Sequence, residues 1–402
     1  MKQCQMCHGK NFIEVIDFGL SPLVNSLLEK DQLDQKEPEY PLVVEQCQDC
    51  FLVQIVDTVD SHEIYKGVDY LYFSGDMPGL SDYFKEYADF LRLSFLDSDD
   101  FIVEIGSNDG TMLQHFPTQT VLGVDPASNV VVRALAKGIP TLADFFSARI
   151  ARSIKREAEE AKLIYGNNCI AHLGNLDDLM EGVTELLSHD GVFAVECNYW
   201  GNMVKNKNYA LIYHDHFSYF SLKNWMDYAK KWGMKVFDAT VTPAQGGSLR
   251  VFMDRGVREE TERCVELYGD EVVSNLNSPA TAGVYRASVL EEARKLKRLV
   301  SDIKAEGKTI AGYGAAAKGF SVLQLAKITG EEIDYFVDDS PAKQGKYTPI
   351  THIPVISRME AEKKLPDYFF ITAPNYEGVI IEKEGIFQKS GGKFITCDSR
   401  II

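Results

Sequence analysis

The chain has 402 residues, 45% of them hydrophobic and 25% charged, which fits two or three globular domains and excludes a disordered, collagen-like or coiled-coil chain. Its 42 Lys and Arg stand against 59 Asp and Glu, a net charge of −17, so it repels nucleic-acid phosphates and no nucleic-acid partner is expected. No apolar run reaches the roughly 18 residues that span a bilayer, and the polar start MKQCQMCHGK has no apolar signal core, so a cytoplasmic protein without a membrane partner is expected.

Eight cysteines are too few for a disulfide scaffold. Four of them form two C-x-x-C pairs, Cys4-Gln-Met-Cys7 and Cys47-Gln-Asp-Cys50. One tight turn of this kind offers two thiolates to a single metal, and two such turns complete a closed, structural Cys4 zinc site. The alternative, a redox C-x-x-C, needs only one pair at a helix start. His8, next to Cys7, is a further candidate ligand but is not needed. The apolar run from Phe51 to Val56 predicts a strand that docks this small region. Cys169, Cys197, Cys264 and Cys397 are isolated and read as small buried hydrophobes.

Leu80, Tyr83, Phe84, Tyr87, Phe90 and Leu91 recur at helical spacing within 76–98 and predict an amphipathic helix. A short apolar strand follows from Phe101 to Ile105. Next come the turn Gly106-Ser-Asn108-Asp-Gly110 and a predicted helix start over Thr111–Phe116. Strand, glycine turn and helix form the first unit of a Rossmann-like sheet. Gly106 and Gly110 let a ligand lie against bare backbone, Asn108 sits in the same turn, and Glu104 at the strand end can pair with a ligand ammonium. The next strand runs from Thr120 to Asp125, whose carboxylate is placed to accept both ribose hydroxyls of an adenosine. Asp144 can meet the adenine amino group with Phe145 stacking on the base. The strand from Ala161 ends at Asn168, on the carboxyl edge where open α/β sheets bind ligands. A further strand spans 191–196. The series resembles class I S-adenosylmethionine-dependent methyltransferases; the alternative is another nucleotide-binding Rossmann domain.

Beyond the sheet lies Tyr213-His214-Asp215-His216, in a chain with only eight histidines. Imidazole takes or gives a proton near neutral pH, and an adjacent acid can set its tautomer. A general base, a second metal site and a plain structural turn all remain open for this segment. A hairpin is predicted from Lys235 to Phe252 across Gly246-Gly247. Residues 258–305 read as charged helices starting near Thr261. A second strand–turn–helix follows at 308–319, where Gly312-x-Gly314-x-x-Ala317 fits the dinucleotide pattern loosely. Strands predicted over Ile333–Asp338 and Asp367–Thr372 complete a second Rossmann-like half, ending near Asn375.

These features together resemble the nucleotide-sugar C-methyltransferases over nearly the whole chain. The matching segments are the two C-x-x-C pairs, Ser21-Pro-Leu-Val-Asn25-Ser26, Val103–Gly110, Tyr213–Phe220, Gly246-Gly-Ser-Leu-Arg250 and Tyr313–Gly319. The resemblance implies an α/β protein with a zinc-binding domain at 1–70, a methyltransferase domain at 71–257 and a Rossmann-like domain at 258–402. It implies S-adenosylmethionine and structural zinc as cofactors. The substrate it implies is a dTDP-linked 4-keto-6-deoxysugar methylated at C3, for branched-sugar synthesis. Family members tend to carry Glu where this chain has Asp215, and a second Ser where Gly75 follows Ser74. His216 is then the base, Asp215 stabilises or orients the site, and Tyr213 or Tyr72 donates to the developing C4 oxyanion. Asn25, His214, Arg250, Gly314, Lys318 and Asn375 contact the substrate, with Lys318 and the amides of Gly314–Gly319 clamping the diphosphate. A monomer or weak oligomer is expected. The rival readings are an O-methyltransferase and an NAD(P)-dependent oxidoreductase; no Tyr-x-x-x-Lys or comparable hydride-transfer pair follows the second glycine motif to support the latter.

Overall fold

The computed structural model describes residues 2–65, 70 and 72–402. Compactness groups the chain into two units, neither continuous in sequence: Met1–Ile13, Gln46–Gly201 and Phe217–Pro279 form the first, and Glu14–Glu45, Asn202–His216 and Ala280–Ile402 the second. The boundary expected between 70 and 71 falls at Leu71, outside the described residues. Strands β1 (Phe12–Ser21) and β2 (Tyr40–Cys47) each pass from one unit to the other. Among the described residues no helix is long and apolar enough to cross a membrane.

The first unit is built on a seven-stranded sheet. Its strands are β4 (Phe101–Ile105), β5 (Thr120–Val124), β6 (Thr141–Leu142), β7 (Ala161–Asn167), β8 (Leu187–Asn198), β10 (Lys235–Thr242) and β11 (Ser248–Asp254). Their order is β10-β11-β8-β7-β4-β5-β6. The five strands from β8 to β6 run parallel, and β11 and β10 close the edge antiparallel. Ile102, Leu163 and Val192 come from its centre, and onto them pack Phe84, Tyr87 and Leu91 of the helix Leu80–Phe95, with Phe237 and Phe252. Burying each aromatic or leucine side chain contributes about 1.5–3 kcal/mol. That helix begins later than the periodicity predicts because Gly79, at φ 73°, turns the chain just before it. The short β3 (Val53–Ile55) pairs antiparallel with β9 (Ser218–Tyr219), which fixes the cysteine-bearing segment onto the same unit.

The second unit carries five parallel strands, β12 (Ile310–Tyr313), β13 (Phe336–Val337), β14 (Val355–Ile356), β15 (Tyr368–Ile371) and β16 (Lys393–Ile395), in the order β14-β13-β12-β15-β16. Tyr313, Phe369, Ile371 and Phe394 form its core with Ile380 and Phe387. The helices expected after residue 258 are Glu262–Val273, capped by Thr261 whose hydroxyl accepts the Cys264 N–H, and the 27-residue Pro279–Ala305.

Two sequence expectations give way to local physics. The helix predicted over 111–116 is only a 3₁₀ turn at Leu113–His115. Pro117 pushes Phe116 out of helical torsions, to φ −111° and ψ 73°. The strand predicted over 333–338 shortens to Phe336–Val337.

Candidate active site and zinc centre

The four cysteines of the two C-x-x-C pairs converge. The Sγ atoms of Cys4 and Cys50 lie 3.4 Å apart and those of Cys7 and Cys47 3.5 Å apart, with all four inside 4.8 Å of one another. A tetrahedron with Zn–S bonds of about 2.3 Å has edges of roughly 3.8 Å, so this donor set fits zinc. Hydrogen bonds from Cys4 and Cys50 favour the thiolate at Cys47, while the Cys47 contact disfavours it at Cys4; thiolate is the form that ligates zinc. His8 turns away, its Nε2 2.8 Å from Asp177 Oδ2, and Asp177 also receives Tyr228 Oη and Lys231 Nζ.

The glycine turn after β4 forms as the sequence predicts. Gly106 has φ 66°, and a Cβ there would lie 2.5 Å from that of Cys169, so the position demands glycine. Asn108 also takes a left-handed φ of 49°. Its backbone N–H donates to Asp125 Oδ2 at 2.9 Å, and the Ala127 N–H donates to Oδ1 at 2.9 Å. These two bonds hold the carboxylate at the end of β5, where burial still raises its pKa to about 6. Glu104, fully enclosed under the same turn, is pushed well above the usual carboxylate range, chiefly by burial.

Along this carboxyl edge Ser107 Oγ, Asn167 Oδ1 and Asn198 Nδ2 are buried with no hydrogen-bond partner among the described residues. Buried polar atoms cost free energy until something pairs with them. A row of them at the ends of parallel strands fits a polar ligand such as the methionine end of S-adenosylmethionine. Asn168 sits at φ 55° beside them, its backbone N–H on the Glu196 carbonyl and its Oδ1 3.4 Å from Ser248 Oγ. Asp144 accepts the Phe145 N–H and an Arg149 guanidinium. The Phe145 ring lies 5.1 Å from His62 and 6.5 Å from Tyr65.

The Tyr213–His216 segment is a tight turn in the second unit. The His216 N–H donates to the Tyr213 carbonyl at 2.9 Å, and the two rings lie tilted at 36° with centroids 4.1 Å apart. His216 Nδ1 lies 2.6 Å from the Leu211 carbonyl oxygen. That oxygen only accepts, so Nδ1 carries the proton and Nε2 keeps the lone pair of the neutral ring. The Tyr213 hydroxyl is 3.1 Å from Nε2. His214 is buried edge-on against Tyr40, at 5.9 Å, and burial lowers its pKa. Asp215 is buried, and Asn25 Nδ2 approaches its Oδ2 at 3.4 Å. Burial raises the Asp215 carboxyl to about 7.

Arg250 lies in register opposite Glu196 across β11 and β8. Its Nε donates to Glu196 Oε2 at 2.9 Å, its Nη2 to Tyr83 Oη at 2.8 Å, and its guanidinium lies 3.3 Å over the Tyr87 ring. Tyr72 is 36% exposed, and its carbonyl accepts the Asn108 side-chain amide. Gly314 has φ 93° and an added Cβ would meet Ala373, Lys318 is lowered to about 7 by burial, and Asn375 is exposed.

Two features escape sequence reasoning. His172 stacks on Tyr65, with Nδ1 2.8 Å from the Tyr65 hydroxyl, and burial lowers it to about 4. It follows the end of β7 by five residues, and that proximity to the carboxyl edge is its one sequence signal. The Leu211 carbonyl that fixes the His216 tautomer has none, since every residue carries one.

Three domain models match the chain: a zinc binding domain over residues 4–65, a methyltransferase domain over 80–238 and a C-methyltransferase C-terminal domain over 243–397. The C-methyltransferase NovU of Streptomyces niveus is 32% identical over 402 residues, covering 98% of this chain and 94% of that protein. Among solved structures, a methyltransferase from Clostridium acetobutylicum is 10% identical, covering 45% of this chain and 94% of its own at a TM-score of 0.34. The magnesium protoporphyrin IX methyltransferase of Synechocystis with bound S-adenosylmethionine is 9% identical, covering 44% and 80%, at 0.33. With its cysteine cluster fit for zinc, its methyltransferase sheet and its full-length match to NovU, this chain belongs to the S-adenosylmethionine-dependent C-methyltransferases.

Proposed function

We propose that the enzyme methylates C3 of a nucleotide-linked 4-keto-6-deoxysugar, with dTDP as the nucleotide, in the synthesis of a branched deoxysugar. Carbon is a weak nucleophile, and a ketone at C4 acidifies the C3 proton. The observation that carries the reading is the His216 ring, whose Nδ1 is committed to Leu211 and whose Nε2 holds its lone pair beside the Tyr213 hydroxyl. Nε2 takes the C3 proton, and the C3–H electrons pass into the C3–C4 bond while the ketone oxygen gains charge. Tyr213, or Tyr72, donates to that oxygen. S-adenosylmethionine supplies a sulfonium methyl that the C3 carbanion accepts. Glu104, Asn108, Asp125, Asp144, Phe145 and Asn168 hold the donor, with Asp125 on the ribose diol. The diphosphate falls to Gly314–Gly319 and Lys318, and Asn25, His214 and Asn375 line the sugar-nucleotide. Such a division of labour supports the three-domain parse at 1–70, 71–257 and 258–402.

The test is proton exchange. Substrate incubated with enzyme in heavy water, with S-adenosylhomocysteine in place of the methyl donor, exchanges its C3 proton. His216→Asn slows this about 10²–10⁴-fold and leaves S-adenosylhomocysteine binding intact. Exchange that survives in His216→Asn and is lost in His214→Asn makes His214 the base. Mass spectrometry of nucleotide 4-ketosugars after reaction with S-adenosylmethionine reads the added methylene.

A further inference from the structure

The ketosugar reading has Asp215 stabilise or orient the site without naming the atom it acts on, and its surroundings restrict what it can do. The side chain is buried, and no cation among the described residues is ion-paired with it. The groups acting on it are burial first, then the Asn25 amide at 3.4 Å and its own backbone N–H. Tyr213, His214 and His216 are its titratable neighbours on the turn, and Tyr40 packs on His214. The ring nitrogens of His216 face the Leu211 carbonyl and the Tyr213 hydroxyl. A carboxyl buried without a cation favours its neutral, proton-donating form. The raised value of about 7 agrees with this.

We propose that Asp215 works as a neutral carboxylic acid whose O–H donates a hydrogen bond to the C4 oxygen as the enolate forms. The proposal rests on the ketosugar reading. In the balanced step, His216 Nε2 takes the C3 proton and the C3–H pair becomes the C3–C4 double bond. The C4 carbonyl π pair moves onto oxygen, and Asp215 keeps its proton while sharing it with that oxygen. When C3 takes the methyl, the sulfonium C–S pair leaves with the thioether sulfur and the C4 carbonyl re-forms. His216 then returns its proton to solvent. An ionised Asp215 has no proton to donate and repels the enolate, so the enzyme loses rate as pH rises through about 7.

Two measurements on the full-length enzyme test this. The first is infrared difference spectroscopy between wild type and Asp215→Asn without substrate. A neutral-acid carbonyl band is expected at pH 6, fading as pH rises past about 7. The second is C3 proton exchange against pH. Asp215→Asn keeps an N–H donor and exchanges within about tenfold of wild type but without the alkaline fall, whereas Asp215→Ala loses about 10²–10³-fold. Asn25→Ala, at an exposed position, removes a donor that favours the charged form and moves the alkaline fall to higher pH. This last variant keeps the test alive if the Asp215 variants fail to fold. Asparagine as slow as alanine makes the carboxylate a base and overturns the proposal, as does wild-type exchange in Asp215→Ala. An absent band with exchange intact overturns the Asp215 role alone. A present band with no exchange from any nucleotide 4-ketosugar overturns the ketosugar reading, and the oxyanion role with it.

Discussion

Replacing Arg250 by methionine asks whether this residue belongs to the substrate or to the fold. Glu196 is fully buried and the Arg250 side chain is 11% exposed, with a 2.7 Å contact between them. The guanidinium also serves the Tyr83 hydroxyl and covers the Tyr87 ring. Arg250→Met leaves a carboxylate buried with no cation, and breaking one side of such a pair costs about 3–5 kcal/mol. At about 2–4 °C per kcal/mol for a unit of this size, melting falls by roughly 6–20 °C. The double variant Glu196→Met/Arg250→Met removes both charges, and apolar replacement of a whole buried pair is often neutral. It should therefore melt close to wild type. Scanning calorimetry of the full chain reads both. If Arg250→Met melts within about 3 °C of wild type while KM for the nucleotide sugar rises, Arg250 is a substrate contact and the structural reasoning is wrong.

The chain should carry one zinc, held by Cys4, Cys7, Cys47 and Cys50; metal analysis of protein purified without chelator checks this, and Cys47→Ser should lower metal content and loosen the segment that β3 fixes. Asp125→Ala should weaken S-adenosylmethionine binding by calorimetry, since the carboxylate is already oriented by the Asn108 and Ala127 amides; unchanged affinity means that the ribose lies elsewhere.

The parallel strands were legible because each is a short apolar run closed by turn residues, and burial on both faces requires such a run. The zinc centre was legible because spacing in sequence nearly determines spacing in space for a C-x-x-C turn. The segment after Gly110 was not, because apolar content there suits a helix while Pro117 forbids one and Met112, Leu113 and Phe116 enter the core as an irregular turn. Arg250 came to the substrate contacts through the family resemblance alone, and its pairing with Glu196 shows only in the register of β11 against β8. The choice between His214 and His216 rests on tautomer and neighbours, set by Leu211 and Tyr40, and no residue pattern encodes either contact.

The two glycine turns show how far one motif can diverge beneath the same sequence signature. In each half an acid ends the second strand and clasps two backbone N–H groups: Asp125 takes those of Asn108 and Ala127, and Asp338 those of Ala315, at 2.8 Å, and Ser340, at 2.9 Å. Spacing alone therefore assigns both acids to a ribose. Their remaining surroundings differ. Burial dominates at Asp125 and raises it toward neutrality, and no ion pair to it occurs among the described residues. Asp338 has Lys343 Nζ 3.4 Å from Oδ2, with the same ammonium donating to the Ala315 carbonyl at 2.8 Å. An acid that already holds an ammonium gains less by accepting two hydroxyls than one held by amides alone. The loose dinucleotide pattern at Gly312–Ala317 is thus a weaker adenosine signal than the turn after β4, and the difference lies in a lysine five residues past the acid, on a loop where the motif has already ended.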